Sequence, residues 1–403
     1  MNKVIKDDHG WKLKINDESS TKDLFNHIFQ NREFTETNVA LYNLPKLKFL
    51  LDRWYQKLPS VRPYYAVKSN PDPEIISKLA SLGAGFDCAS RKELELAAQH
   101  ASINFEADII CAQTFKSPAE LRAISSLGVK YTTFDCVEEL QKIANFGLRD
   151  LKLVLRIAGG DEEANAQYNK RFGVLKSEYR TVLECAVQLG LSIVGVSFYV
   201  GHSVKNTNAY YKAIQKASDV WKIAEEYGFD MKLLDVGGGF VEKYFEDAAN
   251  DINHGIEEFF GGKNITVIAE PGKYFSASVV SSCFTVVGKR TRVFDGVMKI
   301  DYVISDGING TFCHLPLAED NEAIPIYLGS LEDPPKYNSA FYGPTCDGDD
   351  KITECEFPVV EIGDKIAFDT MGGYTASLAT DFNGIQMATH TKLYITEESC
   401  SIE

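Results

Sequence analysis

Tyr64-Tyr65-Ala66-Val67, closed by Lys68, is an unbroken apolar run, and Ile75, Ile76, Leu79 and Leu82 follow it at helical spacing. A strand without polar alternation is one buried on both faces, as in a parallel sheet covered by helices. The same pairing recurs along the chain. Short β-branched or apolar runs stand at Gly85–Cys88, Asp108–Cys111, Tyr131–Phe134, Lys152–Ile157, Ile193–Val200, Leu233–Val236 and Thr266–Ala269. Helical stretches such as the one bearing Leu183, Val187 and Leu189 lie between them. Eight such strands alternating with helices predict a (β/α)8 barrel.

Beyond about residue 271 the texture changes. Ser278–Val287, Tyr302–Ser305, Lys365–Phe368 and Lys392–Ile395 are strand-like runs separated by Gly, Pro and Asp turns, which reads as a second, all-β domain, a sandwich or a barrel. The expected division is a barrel over 36–270, a β domain over 271–403, and residues 1–35 joining the β domain. The acid- and proline-rich segment Ala318–Ser339 reads as a loop or short helix.

A formal charge of −15 argues against nucleic acid or an anionic membrane as partner, since a phosphate-facing surface must be basic. No run approaches the length of a membrane helix, and the first residues contain no apolar signal segment. Nine cysteines spread from Cys88 to Cys400 without CxxC pairs, so neither a zinc site nor a disulfide framework is expected, and the thiols read as reduced in the cytoplasm.

Chemistry in such barrels collects where strands end on their C-terminal side. Those ends carry Lys68, Asp87, Arg156, Tyr199, Gly237-Gly238-Gly239 and Glu270. A lysine able to form a Schiff base, glycine amides able to approach a phosphate and a carboxylate able to hold a pyridine nitrogen protonated make a kit for pyridoxal phosphate. Taken singly, each is equally a solvated lysine, a buried acid or a tight turn.

The literal strings are more specific. Pro63-Tyr64-Tyr65-Ala66-Val67-Lys68-Ser69-Asn70 resembles the cofactor-lysine motif of the ornithine, arginine and diaminopimelate decarboxylases, pyridoxal-phosphate enzymes of the alanine racemase-like fold. Gly85-Phe86-Asp87-Cys88-Ala89-Ser90, Leu234-Asp235-Val236-Gly237-Gly238-Gly239-Phe240 and Glu270-Pro271-Gly272-Lys273-Tyr274 look like further blocks of that family in the same order. Gly343-Pro344-Thr345-Cys346-Asp347-Gly348 and Gly372-Gly373-Tyr374-Thr375 are similar to the eukaryotic ornithine branch.

The resemblance implies a role for each matching residue. Lys68 would hold the cofactor and Glu270 would pair with its ring nitrogen. Arg156, Asp87 and Glu93 would form the polar shell, and Gly237, Gly238, Gly239, Lys273 and Tyr374 would bind the phosphate. Cys346 would return a proton to the substrate carbon, Asp347 would meet the distal ammonium, and Phe382 would line the substrate site. The loop bearing Cys346 would reach a neighbouring subunit's barrel, making a homodimer with shared active sites, with Arg171 and Asp350 paired across the interface. The implied reaction is decarboxylation of L-ornithine to putrescine and CO₂, a step of polyamine biosynthesis. The aspartate of Cys346-Asp347-Gly348 suits a bare distal amine, whereas the diaminopimelate branch carries Cys-Glu-Ser there.

Several positions depart from the family. Tyr199 stands for a histidine that stacks on the ring, with His202 or Ser203 as candidate phosphate contacts. Lys273 replaces an arginine, a point charge in place of a bidentate fork. Asn309 replaces a tyrosine, and a substrate-gripping Tyr-Asp pair falls on Leu317-Ala318, with Glu319 and Asp320 next along. These departures keep two alternatives in view: an antizyme-inhibitor-like binding protein with an antizyme-like regulator as partner, and a decarboxylase for lysine or arginine.

Overall fold

The computed structural model describes residues 2–7, 10–15, 19–100, 104, 108–159, 171–201, 208–317, 322–386 and 390–396. The chain divides into two units, residues 48–275 and residues 1–47 with 276–403.

In the first unit eight parallel strands close into a barrel. They are Val61–Ala66, Gly85–Cys88, Ile109–Cys111, Tyr131–Phe134, Lys152–Ile157, Ser192–Phe198, Leu233–Asp235 and Thr266–Ala269. The eighth closes on the first with Val267 opposite Val61 and Ala269 opposite Pro63. Tyr64, Ile110, Val154, Leu233 and Ile268 pack together as one buried cluster, with Tyr131 against it. Side chains alternate across a strand, so Arg156, Asp235 and Glu270 lie two residues on from Val154, Leu233 and Ile268, on the same face and nearer the C-terminal rim. Helices follow the strands because each offers one apolar stripe and clear ends. Pro118–Leu127, for example, begins with a Ser117–Glu120 capping box and buries Leu121, Ala123 and Ile124.

An aromatic cluster braces the rim. Trp54 lies 4.9 Å from Phe240, 5.2 Å from Phe245 and 5.4 Å from Tyr274, and its indole N–H donates to the Val61 carbonyl. Phe240 follows the three glycines and Tyr274 follows Lys273, so this packing anchors both segments.

The second unit is a ten-stranded mixed sheet. Its path runs Lys3–Asp7, Gly10–Lys14, Thr391–Thr396, Val39–Asn43, Val280–Phe294, Val297–Ile304, Lys336–Tyr342, Lys351–Pro358, with Lys365–Phe368 and Pro325–Tyr327 attached at the side. Helix Thr21–Ile28 covers its core through Leu24, Phe25 and Ile28. The sheet claims more of the N-terminus than the sequence suggests. Val39–Asn43 pairs with Thr391–Thr396 on one side and Val280–Phe294 on the other, so the barrel unit begins at 48, not 36, and ends at 275. Residues 318–339, expected as loop or short helix, contain the strand Pro325–Tyr327 and the start of Lys336–Tyr342. No helix among the described residues is long and apolar enough to cross a membrane.

Candidate active site

Strand Val61–Ala66 ends in a single 3-10 turn, Val67–Ser69, which carries Lys68. The turn is fixed from both sides: the Ala66 amide donates to the Pro271 carbonyl at 3.1 Å and the Tyr65 hydroxyl to the Asn70 carbonyl at 2.9 Å. Lys68 Nζ donates to Asp87 Oδ2. The Asp87 side chain is wholly buried, and its Oδ1 has no hydrogen-bond donor. Glu93, in the next helix, accepts the Ala89 amide at 2.7 Å. Burial pushes the Glu93 carboxyl up and the nearby Asp87 charge adds to this, while the Ala89 amide and Lys68 oppose it.

Two strands round the barrel from Val61–Ala66, Leu233–Asp235 ends in the three-glycine turn. Gly237 has φ +69°, and a Cβ there would sit 2.1 Å from the Phe198 carbonyl oxygen; at Gly238 it would sit 2.8 Å from that of Glu270. Only glycine lets these backbones meet. The turn is tied to the last strand by the Glu270 amide, which donates to the Gly237 carbonyl at 2.6 Å, and to the preceding helix, Ala209–Glu226, by Tyr210, whose hydroxyl donates to the Gly238 carbonyl at 2.8 Å. Burial first, then the Asp235 and Asp87 charges, hold the Glu270 carboxyl well above the usual carboxylate range, against the pull of Lys68.

Arg156 lies one residue before the end of the fifth strand, with its guanidinium 4.9 Å from the Phe172 ring centre; that of Arg171 lies at the same distance. Asp135, at the end of the fourth strand, accepts the Gly173 amide at 3.0 Å and so ties this segment to the rim. Tyr199 follows the sixth strand, and its ring passes close to Gly238. Lys273 opens the short helix Lys273–Ser276. His202, Ser203 and Ala318 lie outside the described residues, as do Glu319 and Asp320.

The remaining candidates belong to the sheet unit, on three loops that meet there. Cys346 is exposed, and its amide donates to Asn383 Oδ1 at 3.1 Å, beside the half-exposed Phe382. Asp347 accepts the Asp349 amide at 3.0 Å and the Asn309 carboxamide at 3.4 Å. Buried Asp306 fixes the turn behind Asn309, accepting the Thr311 amide and hydroxyl at 2.9 and 2.8 Å and facing His390 Nε2 at 3.1 Å. Tyr374 has φ +58° in the third loop. Asp350, expected at a subunit interface, is held by its own chain's loops. It is 2% exposed, and its oxygens accept the Ile308 amide at 2.8 Å and the Thr345 amide and hydroxyl at 3.2 and 2.5 Å, all within its own chain. The carboxylate thus organises the loop bearing Cys346 and Asp347, while Arg171 is exposed beside Phe172.

Two family profiles match the sequence: the pyridoxal binding domain of the pyridoxal-dependent decarboxylases over residues 44–277, and their C-terminal sheet domain over residues 198–372. The chain belongs to the pyridoxal-dependent decarboxylases. Among relatives in this family, ornithine decarboxylase from Mus musculus is 36% identical over 354 residues, 83% of this chain and 76% of that one. Antizyme inhibitor 2 from Xenopus laevis is 35% identical over 351 residues, again 83% and 76% of the two chains. The crystal structure of the arginine decarboxylase of Paramecium bursaria Chlorella virus superposes with a TM-score of 0.86 at 31% identity, covering 93% of this chain and 100% of that one. The barrel rim fits the cofactor these enzymes carry: an amine on a buried carboxylate, the partly exposed Glu270 carboxyl beside the buried Asp235, and a glycine turn with no room for a Cβ.

Two residues that matter here carried little signal in the sequence. Asp235 sits inside an apolar run and reads as a strand end, although a carboxylate directly before three glycines was the available hint. Asp135 reads as an ordinary turn residue.

Proposed function

We propose that this pyridoxal-phosphate decarboxylase converts L-ornithine to putrescine and CO₂ in the cytoplasm, as a step of polyamine synthesis. The observation that carries the reading is Lys68 on the buried carboxylate of Asp87, with Glu270 on the same rim. When bound, pyridoxal phosphate supplies an electron-accepting ring for the pair left behind as CO₂ departs. Lys68 would hold it, Glu270 would face the ring nitrogen, and Tyr199 would lie against the ring. Arg156 and Glu93 would complete the polar shell, while Gly237, Gly238, Gly239, Lys273 and Tyr374 would take the phosphate.

The Cys346 thiol, exposed in the single chain, would protonate the substrate carbon. Asp347 would hold the distal ammonium, oriented by Asn309 and the Asp349 amide, with Phe382 nearby. In the proposed homodimer, the Cys346 loop of one subunit completes the barrel site of the other. The eight described cysteines are all free thiols, which supports a reducing compartment.

A second reading has its own support. The likeness to an antizyme inhibitor is as high as that to ornithine decarboxylases, and Lys273 and Asn309 depart from the family pattern. CO₂ release from ornithine, lysine, arginine and diaminopimelate at saturating cofactor separates the readings. Ornithine is expected to be the preferred substrate. Release from none of them by a folded, cofactor-loaded protein would favour an antizyme-binding role, and preference for lysine or arginine would reassign the substrate.

A further inference from the structure

Asp235 is 1% exposed, and nothing in the proposed chemistry uses it. Its Oδ1 accepts the Gly237 amide at 2.9 Å, closing the glycine turn back onto its own strand. Its Oδ2 is buried without a hydrogen-bond donor, although the Glu270 carboxyl lies against it. Two carboxylate oxygens can face each other in a buried place only if a proton lies between them, since a buried acceptor without a donor is costly. We propose that Asp235 is a positioning residue for the cofactor site: one oxygen locks the Gly237 turn, and the other shares a single proton with Glu270.

This rests on the assignment of Glu270 to the cofactor's ring nitrogen. The charged groups that face the pair are Asp87, which disfavours a second negative charge, and Arg156 and Lys68, which favour one. Burial drives the Asp235 carboxyl up to about 7, the direction that a shared proton requires. A proton that can move to Asp235 leaves Glu270 negative when a cation arrives beside it. A second proton on the pair removes that charge.

The test is the pH dependence of cofactor affinity, read from visible absorbance, in the full-length wild type, Asp235→Asn and Asp235→Ala. Wild type should lose affinity below about pH 7, where the second proton binds. Asp235→Asn keeps an oxygen for Gly237, so its affinity at pH 8 should stay within about threefold of wild type, while the break near neutrality moves by roughly one pH unit or more. Asp235→Ala loses the turn contact too, and its affinity should fall roughly tenfold. A break in Asp235→Asn identical to wild type would overturn the shared proton, and unchanged affinity in Asp235→Ala would overturn the positioning role. Glu270→Gln that binds cofactor like wild type would instead remove the ring-nitrogen assignment. Should the Asp235 variants not fold, infrared spectra of the wild-type chain decide: a protonated carboxyl persisting at pH 8 is expected, and its absence contradicts the proposal.

Discussion

Lys68 Nζ rests on Asp87 Oδ2, and the partners are unequal: the aspartate side chain is wholly buried, whereas the lysine side chain is 42% exposed. The carboxylate is therefore a fixed seat and the amine the accessible end. Replacing Asp87 removes a charge-assisted contact worth about 1.5–3 kcal/mol, so Asp87→Asn should weaken cofactor retention roughly ten- to a hundredfold without unfolding the barrel. Dialysis against cofactor-free buffer, followed by absorbance, measures this. Retention equal to wild type would mean that the seat is dispensable.

The glycine turn gives a sharper steric prediction. At Gly237 an added methyl meets the Phe198 carbonyl, and the left-handed backbone alone costs a non-glycine residue about 1–2 kcal/mol. Gly237→Ala should lower the thermal midpoint and lose cofactor together. Gly238→Ala presses instead on the Glu270 carbonyl, so its effect should fall on cofactor retention more than on stability. Differential scanning with and without added cofactor separates the two.

Asp350 can be told apart from a subunit-bridging residue. Asp350→Ala strands the Ile308 and Thr345 amides in a buried turn, at about 1–3 kcal/mol, and should disturb Cys346 and Asp347 with them. Arg171→Ala should leave chain stability unchanged. If both variants instead weaken self-association equally, and the double variant no further, the two residues pair across subunits as the family resemblance implies.

Stability against pH follows from Asp235, whose carboxyl is raised from 3.8 to about 7 by burial. Between those values the folded chain holds a proton that the unfolded chain has released, so this group's contribution falls as pH rises through that window. Asp235→Asn should therefore match wild type near pH 4 and exceed it above pH 7 in denaturant unfolding of the cofactor-free chain. Parallel profiles would contradict this.

The barrel was legible because strands buried on both faces read as bare apolar runs; Gly85–Cys88, Tyr131–Phe134, Lys152–Ile157 and Thr266–Ala269 match to the residue. The same property hid Val39–Asn43, whose first four residues are all buried, so that it reads like a barrel strand although it pairs within the sheet unit. Pro325–Tyr327 was missed because a three-residue strand containing proline has too little periodicity to read. Lys68, Asp87 and Glu270 stood out at strand ends in literal motifs. The partners of Asp350 and the Asp235–Glu270 contact could not, since they depend on which loops and strands become neighbours in space.

The central claim is that this chain carries pyridoxal phosphate on Lys68, and borohydride trapping tests it most directly. Reduction of the cofactor-loaded protein, followed by digestion and peptide mapping, should place one pyridoxyl adduct on the peptide containing Lys68, and Lys68→Ala should give none. An adduct on another lysine, or one that survives in Lys68→Ala, would contradict the account.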